Sequence, residues 1–339
     1  MNKTYLNEFH RANKGHLVDF AGWEMPINYG SQINEHNLVR TDVGIFDVSH
    51  MAVFDLDGSN QIEFLKYLIP NDVTKILGSK RALYSPLLNK NGGILDDLIV
   101  YHLGGNNFRI ISNCGTREQN YAWFKKIASE FDVQIDFKSD ASIIALQGPN
   151  AIKNLSSLYN VDLEKFHLYQ DSEVMIARTG YTGELGVEII SSASKGLEIW
   201  EHFISKDIQP IGLAARDTLR LEAGFNLYGS DMTIENNPYD SNLSWTIDQS
   251  NEDRDFIGKK ALEHLQESEN CLVGFYTDER GVLRSGTKVS FEGGEGIITS
   301  GTWSPTFKKN IGFCRITKNF PETGVSTLRD KEINLHFCE

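Results

Sequence analysis

The 339-residue sequence predicts an α+β body followed by a small antiparallel β-barrel. Three observations carry that expectation. Strand-forming and helix-forming segments mix up to about residue 250, and several strands are antiparallel candidates, which suits α+β better than a doubly wound parallel sheet. Beyond residue 270 the character changes: LVGFYT, LRSGTKVSF, EGIITSGTW, KNIGFCRIT and EINLHF are short apolar runs separated by Gly, Asn or Pro, the spacing of a small barrel. The length suffices for two or three domains with sizeable cores.

Taken in order, helices are expected near 31–41, 59–69 and 117–130, with another near 194–205 behind a Ser-rich N-cap region. Strands are expected near 51–56, 95–102, 107–112, 142–147, 173–178 and 185–190. FIGKKALEHLQE, after Asp255, reads as a short amphipathic helix. A domain boundary near 262–270 divides the chain into a body of 1–262 and a barrel of 263–339.

Composition narrows the function. With 40% hydrophobic residues the chain should be a folded globular protein, and a formal net charge of −13 argues against nucleic acid as a partner. No run resembles a membrane span, and the first twenty residues lack a signal or transit pattern, so the cytoplasm is expected. Cys114, Cys271, Cys314 and Cys338 are scattered, and no His pair has ligand spacing, so neither a disulfide framework nor a metal site is expected. Lys75, Lys80 and Arg81 read as a solvated basic loop. His50, in DVSHM, reads as a hydrogen-bonded interior histidine.

Four segments carry chemistry. In NGGILDDLIVY (91–101), strand alternation puts Asp97 on the face of Ile99 and Tyr101, and Asp96 on that of Leu98 and Val100. A carboxylate among apolar neighbours must be paired, protonated or used. Taken alone, one Asp reads as a turn cap and the other as an ion-pair partner; parity does not choose between them. In RTGYTGELGVEI (178–189), three glycines precede a strand on which Glu188 shares a face with Gly186 and Ile190, leaving a flat space. Glu188 can accept two parallel hydrogen bonds from a planar donor pair, either an Arg or a heterocycle such as a pterin. Taken alone, a salt bridge to Arg is the expectation. In GLAARDTLRLEAGFNLYG (212–229), a helix stopped at Gly224 groups Arg216, Asp217 and Arg220 within about 100°. Asp217 can serve one Arg, which leaves Arg216 for a ligand carboxylate. In DFAGWEMP and VGIFDVSHM, the aromatics read as core and Asp47 as a cap or cavity residue. No dinucleotide, Walker A or nucleophile-elbow motif appears.

Together, DFAGWEMP, VGIFDVSHM, NGGILDDLIVY, LQGP (146–149), RTGYTGELGVEI, ARDTLRLEAG, NLYG, RDFIGKKAL and SGTWSPT (300–306) resemble, in order and over almost the whole chain, the T protein of the glycine cleavage system, an aminomethyltransferase family. The resemblance implies a three-domain clover-leaf around a central folate cavity, with two interwoven α+β domains and the barrel. It implies transfer of the carbon of a lipoyl-bound aminomethyl group, carried by the H protein, to tetrahydrofolate as acceptor substrate. It also implies that Asp97 is the catalytic residue, Glu188 the pterin holder and Arg216 a further ligand contact. Tyr181, Tyr84 and Asn113 would line the folate site.

Three departures stand out. Typical members extend past INLHFCE with a basic tail, so the folate tail is expected to be held less well. Phe225 stands where some relatives carry Tyr, and Asp240 where Glu is commoner. Two alternatives differ in class: a folate-dependent demethylase of another small methylated donor, and a non-catalytic folate-binding assembly factor. The second is disfavoured because no Cys lies between Cys114 and Cys271.

Overall fold

The Ile94–Gly104 strand shows how alternation becomes architecture. Its Leu98 and Val100 enter one apolar core with Phe64 and Phe124, while Ile99 and Tyr101 enter another with Phe46 and Ala145. In this computed structural model, which describes residues 1–266 and 268–338, that strand belongs to a five-stranded antiparallel sheet. The spatial order is Ala82–Leu88, Ile94–Gly104, Asn107–Ser112, Ala52–Gly58, Val133–Phe137. A six-stranded sheet follows the order Leu168–Gln170, Val174–Ala177, Gly186–Ser192, Ala141–Gln147, Gly44–Asp47, Gln209–Pro210, and only its last pair is parallel. Gly44–Asp47 lies beside Ala141–Gln147, so the entire five-stranded sheet is inserted between two neighbours of the other.

The sheets share a middle core, with Val53, Tyr101 and Ile111 from one meeting Ile143, Met175 and Ile190 from the other. Helices cover the outer faces: Gln61–Leu68 and Arg117–Ala128 over the five-stranded sheet, Ala151–Leu155 and Ala193–Ile204 over the six-stranded one. Burying both faces of each sheet in this way is what an α+β layered body requires. The expected Ser cap holds at Ser192, which accepts from the Lys195 amide, and Ser31 likewise accepts from the Asn34 amide.

Beyond the body, six antiparallel strands close a barrel in the order Asn270–Thr277, Lys309–Thr317, Gly294–Ser304, Lys288–Phe291, Thr323–Leu328, Lys331–Cys338. The C-terminal antiparallel barrel and the mixed body match expectation. LRSGTKVSF gives a strand only from Lys288, and Thr323–Leu328 was not anticipated. The FIGKKALEHLQE helix starts at Lys259, because Gly258 sits at φ +92° immediately before it; Glu267, its expected last residue, lies outside the described residues. Among the described residues no helix is long and apolar enough to cross a membrane.

Candidate active site

The body and the barrel meet around a cavity of about 1060 Å³. The five-stranded sheet contributes Tyr84, Asp97 and Asn113, and the six-stranded sheet contributes Glu188. The helix Leu213–Glu222 contributes Arg216, and the loop after residue 177 contributes Tyr181. The six residues singled out in the sequence therefore line one space, and Arg284 and Trp303 of the barrel face them.

The two adjacent carboxylates part company here. Asp96 is buried and does not line the cavity. It accepts from Thr116 Oγ1 (2.6 Å), Asn120 Nδ2 (2.5 Å), and both the amide (3.3 Å) and Nδ2 (2.7 Å) of Asn113. Asp97 faces the cavity. Its Oδ1 accepts from the same Asn113 Nδ2 at 2.8 Å, and the Tyr84 phenol is a second donor. Among the described residues neither Asp pairs with a basic side chain, and the turn before them is capped by Asn89 Oδ1 through the amides of Asn91 and Gly93. The expected cap and ion pair are both replaced by an uncharged donor cluster. Burial, then the charge of Asp96, push the Asp97 carboxyl up to about 7. Burial raises the Asp96 carboxyl as well, against the four donors that favour its anion, so the two carboxyls titrate as a pair.

Glu188 forms no salt bridge to Arg among the described residues, contrary to the reading of its segment alone. Its Oε2 accepts from Thr179 Oγ1 at 2.6 Å. The flat space expected beside it is partly filled. A Cβ on Gly186 would meet Gln147 Nε2 at 2.5 Å, and one on Gly180 would meet Gln147 Oε1 at 2.0 Å. The glycines therefore make room for the Gln147 carboxamide, which bonds the Thr179 and Val187 carbonyls and the Thr182 hydroxyl.

Arg216 has no ion pair among the described residues, and its Nη1 is buried without a partner. Its guanidinium lies 4.7 Å from the Tyr181 ring centroid, and burial lowers its pKa despite the nearby Glu188 charge. Arg220, in contrast, is fully engaged by Asp217 (2.9 Å), Asp231 (2.6 Å), Ser300 (2.9 Å) and the Phe225 carbonyl. Tyr181 donates to the Asn226 carbonyl and stacks on Phe225.

Other readings change. Asp47 does not line the cavity; it is a core carboxylate held by His10 Nε2 (2.9 Å), Thr4 (2.6 Å) and the Ser49 amide. Lys75 is not simply solvated but pairs with Asp248 at 2.6 Å. Asp240 caps its own turn with Asn237 and pairs with Arg315 at 2.9 Å. Sequence reasoning missed Trp245, which lines the cavity, is 65% exposed and stacks on Tyr84 at 5.8 Å. A lone Trp within a three-residue 3₁₀ turn gives no periodic signal.

Residues 6–251 match the GCVT N-terminal domain, and residues 270–335 the glycine cleavage T-protein C-terminal barrel domain. The crystal structure of the glycine cleavage system aminomethyltransferase T from Bartonella henselae is similar over 100% of this chain and 97% of that one, at 33% identity and a TM-score of 0.95. The heterotetrameric sarcosine oxidase from Corynebacterium sp. U-96, in complex with pyrrole 2-carboxylate, covers 56% of this chain and 87% of its own, at 15% identity and a TM-score of 0.37, too slight a likeness to argue from. Interwoven sheets, a closed barrel, the family-domain matches and the Bartonella henselae structure define a transferase of one-carbon groups. The chain belongs to the glycine cleavage T-protein family of aminomethyltransferases.

Proposed function

We propose that this protein takes the carbon of an aminomethyl group from the lipoyl arm of the glycine cleavage H protein and passes it to tetrahydrofolate, giving 5,10-methylene-tetrahydrofolate and ammonia. The supporting observation is the set of three titratable groups around one cavity: Asp97 with a carboxyl raised to about 7 and, among the described residues, Glu188 bonded through Thr179 alone and Arg216 with no ion pair. Glu188 would accept the paired N–H donors of the pterin, and Arg216, Tyr181, Tyr84 and Asn113 would complete the folate wall. The same reading divides the chain at 262/263 and places it in the cytoplasm, with no metal required.

The chemistry asks little of the protein. The C–S bond to the lipoyl sulfur breaks, new bonds join that carbon to N5 and N10 of the folate, the thiol is regenerated and the nitrogen leaves as ammonia. N5 is already a nucleophile, so no Ser or Cys is needed. The ionised Asp97 would stabilise the iminium-like cation on the transferred carbon and take the N10 proton on ring closure. Holding sulfur, carbon and N5 in contact supplies much of the remaining acceleration. The test is ammonia release from glycine-loaded, lipoylated H protein with and without tetrahydrofolate. Release that depends on tetrahydrofolate supports transfer, and release indifferent to it removes the proposal. Turnover of a small methylated amine or sulfur donor without H protein would favour a demethylase instead.

A further inference from the structure

Trp245 lines the cavity and is 65% exposed, more than any other large apolar side chain among the described residues except Met1. A single apolar side chain on an outer surface needs no explanation, but a bare indole on a cavity wall marks a place for a ligand. One face of the indole is taken by the Tyr84 ring, whose plane lies 20° away at a centroid separation of 5.8 Å. No other ring packs on it among the described residues. The indole is also fixed in place. Its Nε1 donates to the Asn242 carbonyl at 3.1 Å, and Asn242 Nδ2 donates at 2.8 Å to the Leu272 carbonyl in the barrel strand Asn270–Thr277. Three residues beyond Trp245, the Asp248 amide donates to the Pro70 carbonyl at 3.1 Å, just after the helix Gln61–Leu68. The turn is therefore tied to the barrel on one side and to the five-stranded half of the body on the other, so the ring is a preorganised surface.

We infer that Trp245 is a binding residue whose open face carries the benzoyl ring of the folate. This inference rests on the tetrahydrofolate reading and on the order of bonds in that molecule. The carbon is delivered to N5 and N10 beside Asp97, and N10 is bonded directly to the benzoyl ring. That ring therefore begins one bond away from the reacting atoms. Tyr84 donates to Asp97, so its ring borders the same position, and Trp245 is the next ring outward. The other open aromatics of the cavity are engaged elsewhere: Phe225 is stacked on Tyr181 beside Arg216, and Trp303 stands on the barrel. An aryl ring laid on an indole face gains dispersion and buries apolar surface on both partners, and offset stacking needs no polar group. A flexible alkyl chain would gain the burial there without the ring-on-ring contact.

The test measures the calorimetric affinity of the full chain for three probes. These are 6-methyltetrahydropterin, which has neither benzoyl ring nor glutamate, tetrahydropteroate, which has the ring alone, and tetrahydrofolate, which has both. Trp245→Ala should weaken the two ring-bearing probes alike, by about five- to thirty-fold, and leave 6-methyltetrahydropterin within about two-fold. Trp245→Phe, which restores a flat ring against Tyr84, should recover most of the loss. The side chain is mostly exposed, so both variants should fold, and retained binding of 6-methyltetrahydropterin reports that they have. Unchanged affinity of Trp245→Ala for tetrahydropteroate overturns the inference. So does a loss confined to tetrahydrofolate, which would place the contact on the glutamate, or an equal loss for all three probes, which would place it on the pterin or the cavity wall. A loss that Trp245→Phe does not recover overturns it as well. A wild-type protein that binds none of the probes defeats the tetrahydrofolate reading itself, whereas wild-type binding with indifferent Trp245 variants defeats this inference alone.

Discussion

At Asp97 a carboxyl meets one amide and one phenol, whereas its neighbour Asp96 collects four donors. If the ionised form of Asp97 does the work, kcat/KM for tetrahydrofolate should climb as pH rises through about 7. Asp97→Asn should lower turnover by about 10²–10⁴-fold while tetrahydrofolate affinity stays within about three-fold. Steady-state rates across pH 5–9, set beside calorimetric affinities, check both. Stability should move the other way. The folded state raises the Asp97 pKa, so its stabilising share is full below the ordinary carboxyl pKa and is lost as pH rises through about 7. Asp97→Asn should therefore raise the melting temperature more at pH 8 than at pH 5. A thermal scan that shows no pH-dependent difference would place the charge elsewhere. Strand parity separated Asp96 from Asp97 in the sequence, but the cluster of Asn113, Thr116 and Asn120 that ranks them is assembled from a later strand end and helix and has no local signature.

The helix Leu213–Glu222 presents Arg216 because its last turn is pinned to the barrel strand Gly294–Ser304. Arg220 reaches Ser300 and Asp231, and Asp231 Oδ1 accepts from Thr299 at 2.6 Å. Glu222 bonds Ser304 and also takes Arg40 (2.8 Å) and His36 (3.2 Å) from the helix Gln32–Thr41. Asp231→Ala strands a buried guanidinium and should cost on the order of 3 kcal/mol, read from denaturant unfolding. It should also lower kcat/KM by displacing the helix that carries Arg216. The helix, its charged face and the Arg220–Asp217 pair were legible from periodicity, whereas Asp231, Thr299 and Ser300 were not, since their contacts cross domains. Among the strands that escaped detection, two did so for opposite reasons. Gly44–Asp47 is an interior strand buried along its whole length, so its sequence shows no alternation. Ala82–Leu88 is an edge strand that tolerates Pro86, a residue that argues against a strand in sequence.

For the molecule as a whole, the cavity is walled by both sheets, the connecting helix and the barrel, so one occupant contacts all of these parts at once. Tetrahydrofolate at about 100 times its Kd should add about 2.7 kcal/mol to the folded state and raise the melting temperature by roughly 4 °C in a single transition. Calorimetry that shows the barrel melting independently of the ligand would contradict a cavity shared by all three parts. The insertion of one sheet inside the other has its own effect during synthesis. Gly44 finds its neighbour Gln147 only about a hundred residues later. The nascent segment leaves the ribosome with both of its hydrogen-bonding edges bare, and the intervening sheet can assemble before the outer one closes around it. A chain threaded in this order gains its first complete core early and its second late, and until then an unpaired apolar strand stands open to other chains or to a chaperone.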